Sequence, residues 1–184
     1  MNDSKGKLVI ISGPSGCGKG TIISQLLKLR PDFTFSVSAT TRSPRPGETD
    51  GVEYLYITRE QFEKMITADG FLEYAEYVGE FYGTPAEPII NGIKDGKTVL
   101  LDIEVQGAEQ VMKKMPEAIS IFIVPPDLVE LERRLRGRRT ESEKKIAKRI
   151  KRAEVELEEK YKYSHIVVND TVSRAANEIL SIID

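Results

Sequence analysis

The sequence predicts an α/β fold in which helices wrap a parallel sheet. Segments of helical periodicity alternate with apolar runs of strand character, near 7–12, 33–37, 98–102, 119–124 and 166–169. This alternation favours a parallel sheet, because a parallel connection has to cross back over the sheet and usually does so as a helix. The stretch 38–90 is instead rich in tyrosines and short strand patterns. We therefore predict that it forms a mixed α/β insertion.

The first strand leads directly into a glycine-rich turn. The apolar run Leu8–Ile11 and Ser12 are followed by GPSGCGK at Gly13–Lys19, and a helical pattern begins at Ile22. A strand, GxxxxGK and a helix form the P-loop pattern, whose backbone N–H groups and helix N-terminus surround phosphates. Its lysine reaches the β- and γ-phosphates of a nucleotide. The sequence therefore predicts a nucleoside triphosphate site here.

Two positions of this loop bear on metal ligation and on thiol reactivity. Gly20 stands where the motif usually has Ser or Thr, and Thr21 follows one position later. This departure leaves open whether a loop hydroxyl ligates Mg²⁺ or the ion is held through water. Cys17 lies where a small residue is needed, and we interpret it as a loop filler rather than a nucleophile.

Composition indicates a soluble globular protein of one domain, with or without insertions. The chain has 184 residues, of which 40% are hydrophobic and 30% charged, and its net charge is −2. Its single cysteine excludes an internal disulfide, and its single histidine, His165, excludes a histidine-centred metal cluster. No signal pattern and no apolar run of about 18 residues is found. A reducing, cytoplasmic setting is expected.

A proline-rich loop carries two arginines after the second strand pattern. The segment Ser38–Glu48 reads SATTRSPRPGE and contains Arg42 and Arg45. Arg is suited to bidentate capture of phosphate, although taken alone such a loop is more simply a solvated turn. Further along, capping-box patterns predict helices that begin after Thr58 and Thr84.

An acidic pair follows the buried strand pattern of residues 98–101. Asp102 is delivered to the carboxyl end of that strand, where ligands bind in open α/β sheets. Glu104 lies two residues later, so on a continuing strand it would point the same way. Paired carboxylates beside a phosphate site suit Mg²⁺ and its waters.

The segment 133–152 is strongly basic in a chain that is net negative. It holds eleven Lys and Arg residues against Glu141 and Glu143, and Gly137 interrupts it. A capping box at Thr140–Glu143 predicts a new helix after the break, and Asp127 is expected to cap the helix before it. Arginines beside a glycine break near a nucleotide site suit a segment that closes onto transferring phosphates.

Seven motifs, in order, give the chain a specific resemblance. They are GPSGCGKGT at Gly13, SATTRSPRPGE at Ser38, GVEYLY at Gly51, FLEYAEYVGEFYGTP at Phe71, TVLLDIEVQG at Thr98, RLRGR at Arg134 and VVND at Val167. With them the chain resembles the guanylate kinases almost end to end. The resemblance implies transfer of the ATP γ-phosphate to GMP, with Mg²⁺ as MgATP. It also implies a P-loop core (1–37, 91–133 and 150–184), a GMP-binding insertion (38–90) and a helical lid (134–149).

The same resemblance implies the site residues. The ATP site is expected at Gly13, Pro14, Ser15, Gly16, Cys17, Gly18, Lys19, Gly20, Thr21, Arg134, Arg138 and Asn169. The GMP site is expected at Ser38, Arg42, Arg45, Tyr54, Glu73, Tyr82, Thr84, Asp102, Glu104 and Arg149. The catalytic groups among them are Lys19, Arg42, Arg134, Arg138 and Arg149. Asp102 is expected to hold the metal, directly or through water, and Glu73 with Thr84 to read the guanine edge.

Three other functions are alternatives to this one. Guanylate-kinase-like domains of scaffold proteins bind peptides without catalysis, but they typically have a damaged P-loop and appended domains, for which this chain has no room. A kinase for another nucleoside monophosphate is a nearer alternative. Nucleic-acid binding by the basic segment is disfavoured by the net negative charge and the lack of an aromatic platform there. We expect no membrane partner, and a monomer or weak homo-oligomer.

Overall fold

The computed structural model describes residues 6–137 and 142–184. In chain order the strands are β1 (Lys7–Ser12), β2 (Thr34–Phe35), β3 (Ala39–Thr40), β4 (Leu55–Tyr56), β5 (Phe71–Tyr77), β6 (Glu80–Pro85), β7 (Thr98–Asp102), β8 (Ile119–Val124) and β9 (His165–Val168). The helices are α1 (Lys19–Leu29), α2 (Arg59–Thr67), α3 (Ala86–Lys94), α4 (Val105–Lys114), α5 (Leu128–Gly137), α6 (Glu143–Glu158) and α7 (Val172–Ile183). A 3₁₀ turn, Glu159–Lys162, follows α6.

Five parallel strands form the main sheet, in the order β2-β7-β1-β8-β9. β1 lies at the centre, because its residues after Lys7 are all buried and need a neighbour on both sides. The predicted parallel sheet is confirmed, and β1, β7 and β8 have the predicted bounds. β2 is shorter than its apolar pattern, and β9 begins one residue earlier than predicted.

Helices cover both faces of this sheet, which gives three layers. Successive residues of a strand point to opposite faces. Accordingly, Val9 and Ile11 belong to one apolar cluster with α1 and α7, whereas Leu8 and Ile10 belong to another with α3 and α4. The burial of both faces explains why β1 is a continuous apolar run rather than an alternating one.

Four strands form a second sheet, in the order β4-β3-β6-β5. β3 runs parallel to β4 and antiparallel to β6, and β5 and β6 form an antiparallel hairpin. The helix α2 covers this sheet through Phe62, whose ring stacks on those of Phe71 and Phe81 at centroid distances of 4.2 and 5.1 Å. The predicted mixed α/β insertion is therefore confirmed.

The cap predictions have different outcomes. At Thr58 the capping box is confirmed, because its Oγ1 accepts from the N–H of Gln61 while Gln61 Oε1 accepts from the N–H of Thr58. At Thr84 it is wrong: Thr84 lies inside β6, Pro85 precedes α3, and no side chain caps that helix. Pairing of Thr84 with Glu73 of β5 outweighs the local pattern.

The helices on either side of the break after Gly137, α5 and α6, pack on each other. Leu131 of α5 shares a small apolar cluster with Ile146 and Ala153 of α6. Asp127 caps α5 as predicted, since its Oδ1 accepts from the N–H of Glu130 at 2.7 Å. The capping box predicted at residues 140–143 falls partly outside the described residues. Within 6–137 and 142–184, no helix has the length and apolarity needed to cross a bilayer.

Candidate active site

The phosphate loop, residues Gly13–Lys19, joins β1 to α1 at the carboxyl end of the main sheet. Lys19 is the first residue of α1, and its Nζ donates to the carbonyl of Gly13 at 2.8 Å. Gly18 has a φ of 94°, and a Cβ there would lie 2.4 Å from Nδ2 of Asn169. Only glycine tolerates both conditions. The loop therefore has the left-handed turn that lets backbone N–H groups face an anion.

Two side chains brace this loop from outside through the carbonyl of Cys17. Asn169 Nδ2 donates to it at 2.7 Å and Arg134 Nη1 at 3.3 Å. Arg134 also donates from Nη2 to the carbonyl of Asn169 at 2.8 Å and from Nε to Glu130 at 2.7 Å. The guanidinium of Arg134 thus links α5, β9 and the loop, and Asn169 Oδ1 is buried with no partner among the described residues.

Burial dominates the electrostatics beside the loop. It raises the pKa of the Cys17 thiol, although Lys19 acts in the opposite direction. The thiol therefore stays protonated and is no thiolate nucleophile. Burial likewise raises the pKa of Asp102, which Lys19 lowers and Glu104 raises. Asp102 lies at the end of β7 and pairs with Ile11 of β1, next to the loop, as the strand pattern predicts.

The position of Glu104 differs from the prediction. β7 ends at Asp102, so Glu104 does not continue the strand but precedes the first turn of α4. Its carboxylate is exposed and pairs with Nη2 of Arg152 in α6 at 2.6 Å. The two acidic side chains therefore do not share a strand face, and the argument that they form a paired metal site from strand geometry is wrong.

The helix α6 also reaches the phosphate loop. Arg149 Nη2 donates to Oγ of Ser15 at 2.5 Å. This contact places Arg149, one of the predicted catalytic arginines, at the phosphate loop. Its helix, α6, begins after the break that follows Gly137. Arg138, the other arginine predicted beside that break, lies outside the described residues.

The arginine loop, residues Thr41–Glu48, carries the second cluster of cationic groups. Arg42 donates from Nη1 and Nη2 to the two carboxylate oxygens of Glu48, at 2.9 and 3.0 Å. Its guanidinium carbon lies 5.5 Å from the ring centroid of Tyr54 and 5.7 Å from that of Tyr56. Arg45 is exposed, and its backbone N–H donates to Glu48 at 2.7 Å.

Aromatic side chains pack beside the arginine loop. The ring of Tyr54 packs edge to face on that of Tyr82 at 5.9 Å. Burial raises the pKa of Tyr54, and the charge of Asp102 acts in the same direction. Asp102 also raises the pKa of Cys17. The charge of Asp102 therefore acts on Cys17 in the phosphate loop and on Tyr54, which packs beside Arg42. Ser38 precedes β3, and its carbonyl accepts from Leu55.

A buried carboxylate faces a hydroxyl across the second sheet. Glu73 and Thr84 are paired neighbours on β5 and β6, and only 8% and 0% of their surfaces are exposed. Thr84 Oγ1 donates to Glu73 Oε1 at 2.6 Å. Burial raises the pKa of Glu73, while the hydrogen bond from Thr84 lowers it. An acceptor and a hydroxyl at this distance can read a ligand edge that carries donors and an acceptor.

Comparison with known proteins shows the family to which this chain belongs. The family model described as guanylate kinase matches residues 5–184. The chain belongs to the guanylate kinase family. It is 49% identical over 176 residues to the guanylate kinase of Synechococcus sp. (strain JA-3-3Ab), covering 96% of this chain and 81% of the relative.

Two further relatives give the same result. The guanylate kinase of Halalkalibacterium halodurans is 49% identical over 183 residues, covering 100% of this chain and 90% of the relative. The crystal structure of guanylate kinase from Anaplasma phagocytophilum superposes with a TM-score of 0.77 at 32% identity, over 98% of this chain and 85% of that one. This guanylate kinase therefore catalyses the ATP-dependent phosphorylation of GMP to GDP.

In this guanylate kinase the structure brings most expected site residues into two groups. Lys19, Asn169, Arg134 and Arg149 meet at the phosphate loop, and Arg42 meets Tyr54 in the second sheet. The side chains of Arg45 and Glu104 are turned to solvent.

Sequence reasoning missed two carboxylates, Glu48 and Glu130, which hold the site arginines Arg42 and Arg134. Glu130 lies four residues before Arg134 on α5, a helical spacing that could have indicated the pair.

Proposed function

We propose that this guanylate kinase binds ATP at the phosphate loop and GMP on the second sheet, with the roles that follow. On the ATP side, the N–H groups of Gly13–Thr21 and Lys19 contact the phosphates. Arg134 and Asn169 support the loop through the carbonyl of Cys17, and Arg149 reaches Ser15 from α6. Arg138 is proposed to approach the same phosphates on the strength of the sequence motif alone.

On the GMP side, Arg42 is proposed to bind the phosphate together with Ser38, Arg45, Tyr54 and Tyr82. The packing of Arg42 and Tyr82 against Tyr54 supports this group. The exposed position of Arg45 means that its side chain has to turn inward when GMP binds.

The base is proposed to lie at the buried pair of Glu73 and Thr84. Guanine presents two donors, N1–H and the N2 amine, to an ionised carboxylate that accepts both, and the Thr84 hydroxyl turns from Glu73 to donate to O6. AMP has no amine at C2 and an unprotonated N1, so its base would offer the Glu73 carboxylate no donor. This pair is the single observation that best supports GMP over another nucleoside monophosphate.

The chemistry requires positioning and charge stabilisation rather than a covalent intermediate. The phosphate of GMP is already an anionic nucleophile and needs no general base. Lys19, the loop N–H groups and the arginines of α5 and α6 offset the charge on the transferring phosphoryl group. Asp102 is proposed to lie where the two substrates meet, because it ends β7 beside the phosphate loop.

Mg²⁺ is proposed to arrive with ATP. No group of three His, Cys, Asp or Glu side chains suited to a metal converges within the described ranges. We therefore propose an ion that is held mainly by phosphates and water, as Mg²⁺ prefers. Asp102 contacts this ion directly or through water. When bound, the ion neutralises charge on the β- and γ-phosphates. Glu104 is proposed to belong to the GMP side on the strength of the sequence motif alone.

The proposed division into parts rests on the sequence motifs. We assign the core to 1–37, 91–133 and 150–184, the GMP-binding insertion to 38–90, and a lid that closes over the phosphates to 134–149. We also propose a cytoplasmic protein, monomeric or weakly self-associating, that does not bind nucleic acid or membranes. Its one cysteine is buried, which suits a reducing compartment.

The assignment is tested by a coupled ADP-release assay with GMP, AMP, UMP and CMP. We expect kcat/KM for GMP to exceed that for each alternative by at least about 10⁴-fold, because a polar site rejects analogues that leave its groups unpaired. Titration with MgCl₂ in the same assay should show no turnover without the ion. Comparable rates with AMP would contradict the proposed role of Glu73 and Thr84.

A further inference from the structure

Glu48 is a carboxylate to which the reaction above assigns no role, yet four donors converge on it. They are Arg42 Nη1 at 2.9 Å, Arg42 Nη2 at 3.0 Å, the backbone N–H of Arg45 at 2.7 Å and the phenol of Tyr56 at 2.8 Å. The side chains of Arg42 and Glu48 are only 15% and 18% exposed. This arrangement is more ordered than an isolated surface ion pair, which contributes little.

These contacts fix the plane and the direction of one guanidinium. An arginine has five N–H groups. Nη1 and Nη2 of Arg42 each donate one to Glu48, and Nη1 donates a second to the carbonyl of Ser43 at 2.7 Å. Two N–H groups are taken by neither Glu48 nor Ser43, and the phenol of Tyr82, another expected phosphate ligand, also interacts with this guanidinium. Arg42 cannot rotate to follow a mobile ligand without breaking its bonds to Glu48.

We propose that Glu48 is a positioning residue that holds Arg42 with its two remaining N–H groups directed at the phosphate of GMP. Glu48 does not touch GMP and acts only through Arg42. This inference rests on the proposed GMP site and adds the group that orders it. The opposite reading is that the Glu48 carboxylate occupies the phosphate position and has to be displaced by GMP. The two hypotheses predict opposite changes in the KM for GMP when the charge of Glu48 is removed.

The ionisation of Glu48 does not complicate the test. The side chain of Arg42, followed by the backbone N–H of Arg45, lowers the pKa of Glu48 to about 2. The carboxylate is therefore charged throughout the pH range in which the enzyme would be assayed. The substitution Glu48→Gln keeps the shape and removes the charge.

The first experiment compares Glu48→Gln with Glu53→Gln, a matched control. Glu53 lies in the same segment, is exposed, and among the described residues accepts only from the backbone N–H of Thr49. We expect Glu48→Gln to raise the KM for GMP about 10-fold, the scale of a lost charge-assisted hydrogen bond. The KM for ATP and the affinity for guanosine, which has no phosphate, should not change. Glu53→Gln should behave as wild type in all three measurements.

A double-mutant cycle then asks whether Glu48 acts through Arg42. In an Arg42→Ala background, adding Glu48→Gln should not raise the KM for GMP further. If Glu48→Gln impairs folding, Tyr56→Phe removes one contact to Glu48 and should raise the KM for GMP about 2-fold, again with guanosine binding unchanged.

The outcomes separate this inference from the proposed GMP site. If Arg42→Ala leaves the KM for GMP unchanged, the phosphate site itself is wrong. If Arg42→Ala raises it but Glu48→Gln leaves it unchanged or lowers it, only the positioning role is overturned, and a lowered KM identifies Glu48 as a competitor of GMP. An equal loss of guanosine and GMP affinity would likewise overturn it, because a general structural defect affects both ligands.

Discussion

The two loops that we propose to bind phosphates in this kinase offer different groups. The phosphate loop offers backbone N–H groups in a conformation that Gly18 makes accessible and that Asn169 braces from behind. The arginine loop instead offers the side chain of Arg42, on an exposed turn, and needs Glu48 to direct it. A backbone donor is oriented as soon as the chain folds, whereas a long side chain has to be oriented by a partner. This difference predicts distinct responses to substitution.

The largest effect is expected where the phosphate loop relies on a side chain. Lys19→Met should lower kcat about 1000-fold, the upper range for loss of one group that stabilises transition-state charge. The melting temperature should change little, because the fold loses only the bond to the carbonyl of Gly13. Initial rates of ADP release and thermal melting should be measured on the same preparation. A kcat near that of wild type would remove Lys19 from the mechanism.

A pair of glycine substitutions tests the comparison directly. Gly18 and Gly47 have φ values of 94° and 89°, but a Cβ at Gly47 meets nothing within 4 Å, whereas one at Gly18 overlaps Asn169. Gly18→Ala should lower kcat/KM for ATP about 100-fold by displacing the loop. Gly47→Ala should cost about 1–2 kcal/mol of stability from the left-handed backbone alone. Activity and urea unfolding would be measured for both variants. Equal losses of activity in the two would contradict the proposed difference between the two loops.

Base selection is expected to depend on Glu73. Glu73→Gln should lower kcat/KM for GMP about 10- to 100-fold, because the amide replaces one acceptor by a donor and leaves a guanine donor unpaired. The already slow AMP reaction should change much less. Glu76→Gln, on the same strand but exposed, is the control and should not alter either rate. If the GMP-to-AMP ratio is the same in Glu73→Gln as in wild type, Glu73 does not read the base.

The smallest effect concerns the hairpin that carries Glu73. Val78 has a φ of 53°, its side chain is 84% exposed, and Gly79 follows with a φ of 82°. A β-branched residue is strained in the left-handed region, and hairpin turns of this kind favour Asn before Gly. Val78→Asn should raise the free energy of unfolding by about 1 kcal/mol. The rate with GMP should not change, and a lowered melting temperature would show that the turn is unstrained.

The sequence predicted what depends on local pattern. β1, β7 and β8 match because a strand buried on both faces must be a continuous apolar run. The helix after Thr58 matches because the capping box involves residues only three apart. The phosphate loop could be recognised because its chemistry requires glycines at fixed spacing.

The errors involve contacts that depend on how the chain folds back on itself rather than on a local pattern. Thr84 carries a capping pattern, but its pairing with Glu73 across the hairpin makes it a strand residue. Glu104 was expected to follow Asp102 along a strand, but the strand ends at Asp102 and α6 supplies an ion-pair partner for Glu104. The four contacts of Glu48 depend on how the arginine loop folds back on β4, which no spacing rule encodes.

The helix α6 makes two of the contacts described above on neighbouring turns. Arg149 holds Ser15 of the phosphate loop, and Arg152 holds Glu104 at the start of α4. The two arginines are three residues apart, about 4.5 Å along the axis. Because both contacts lie on one helix, a rigid-body movement of α6 would break them together. The helix therefore couples the phosphate loop mechanically to the start of α4.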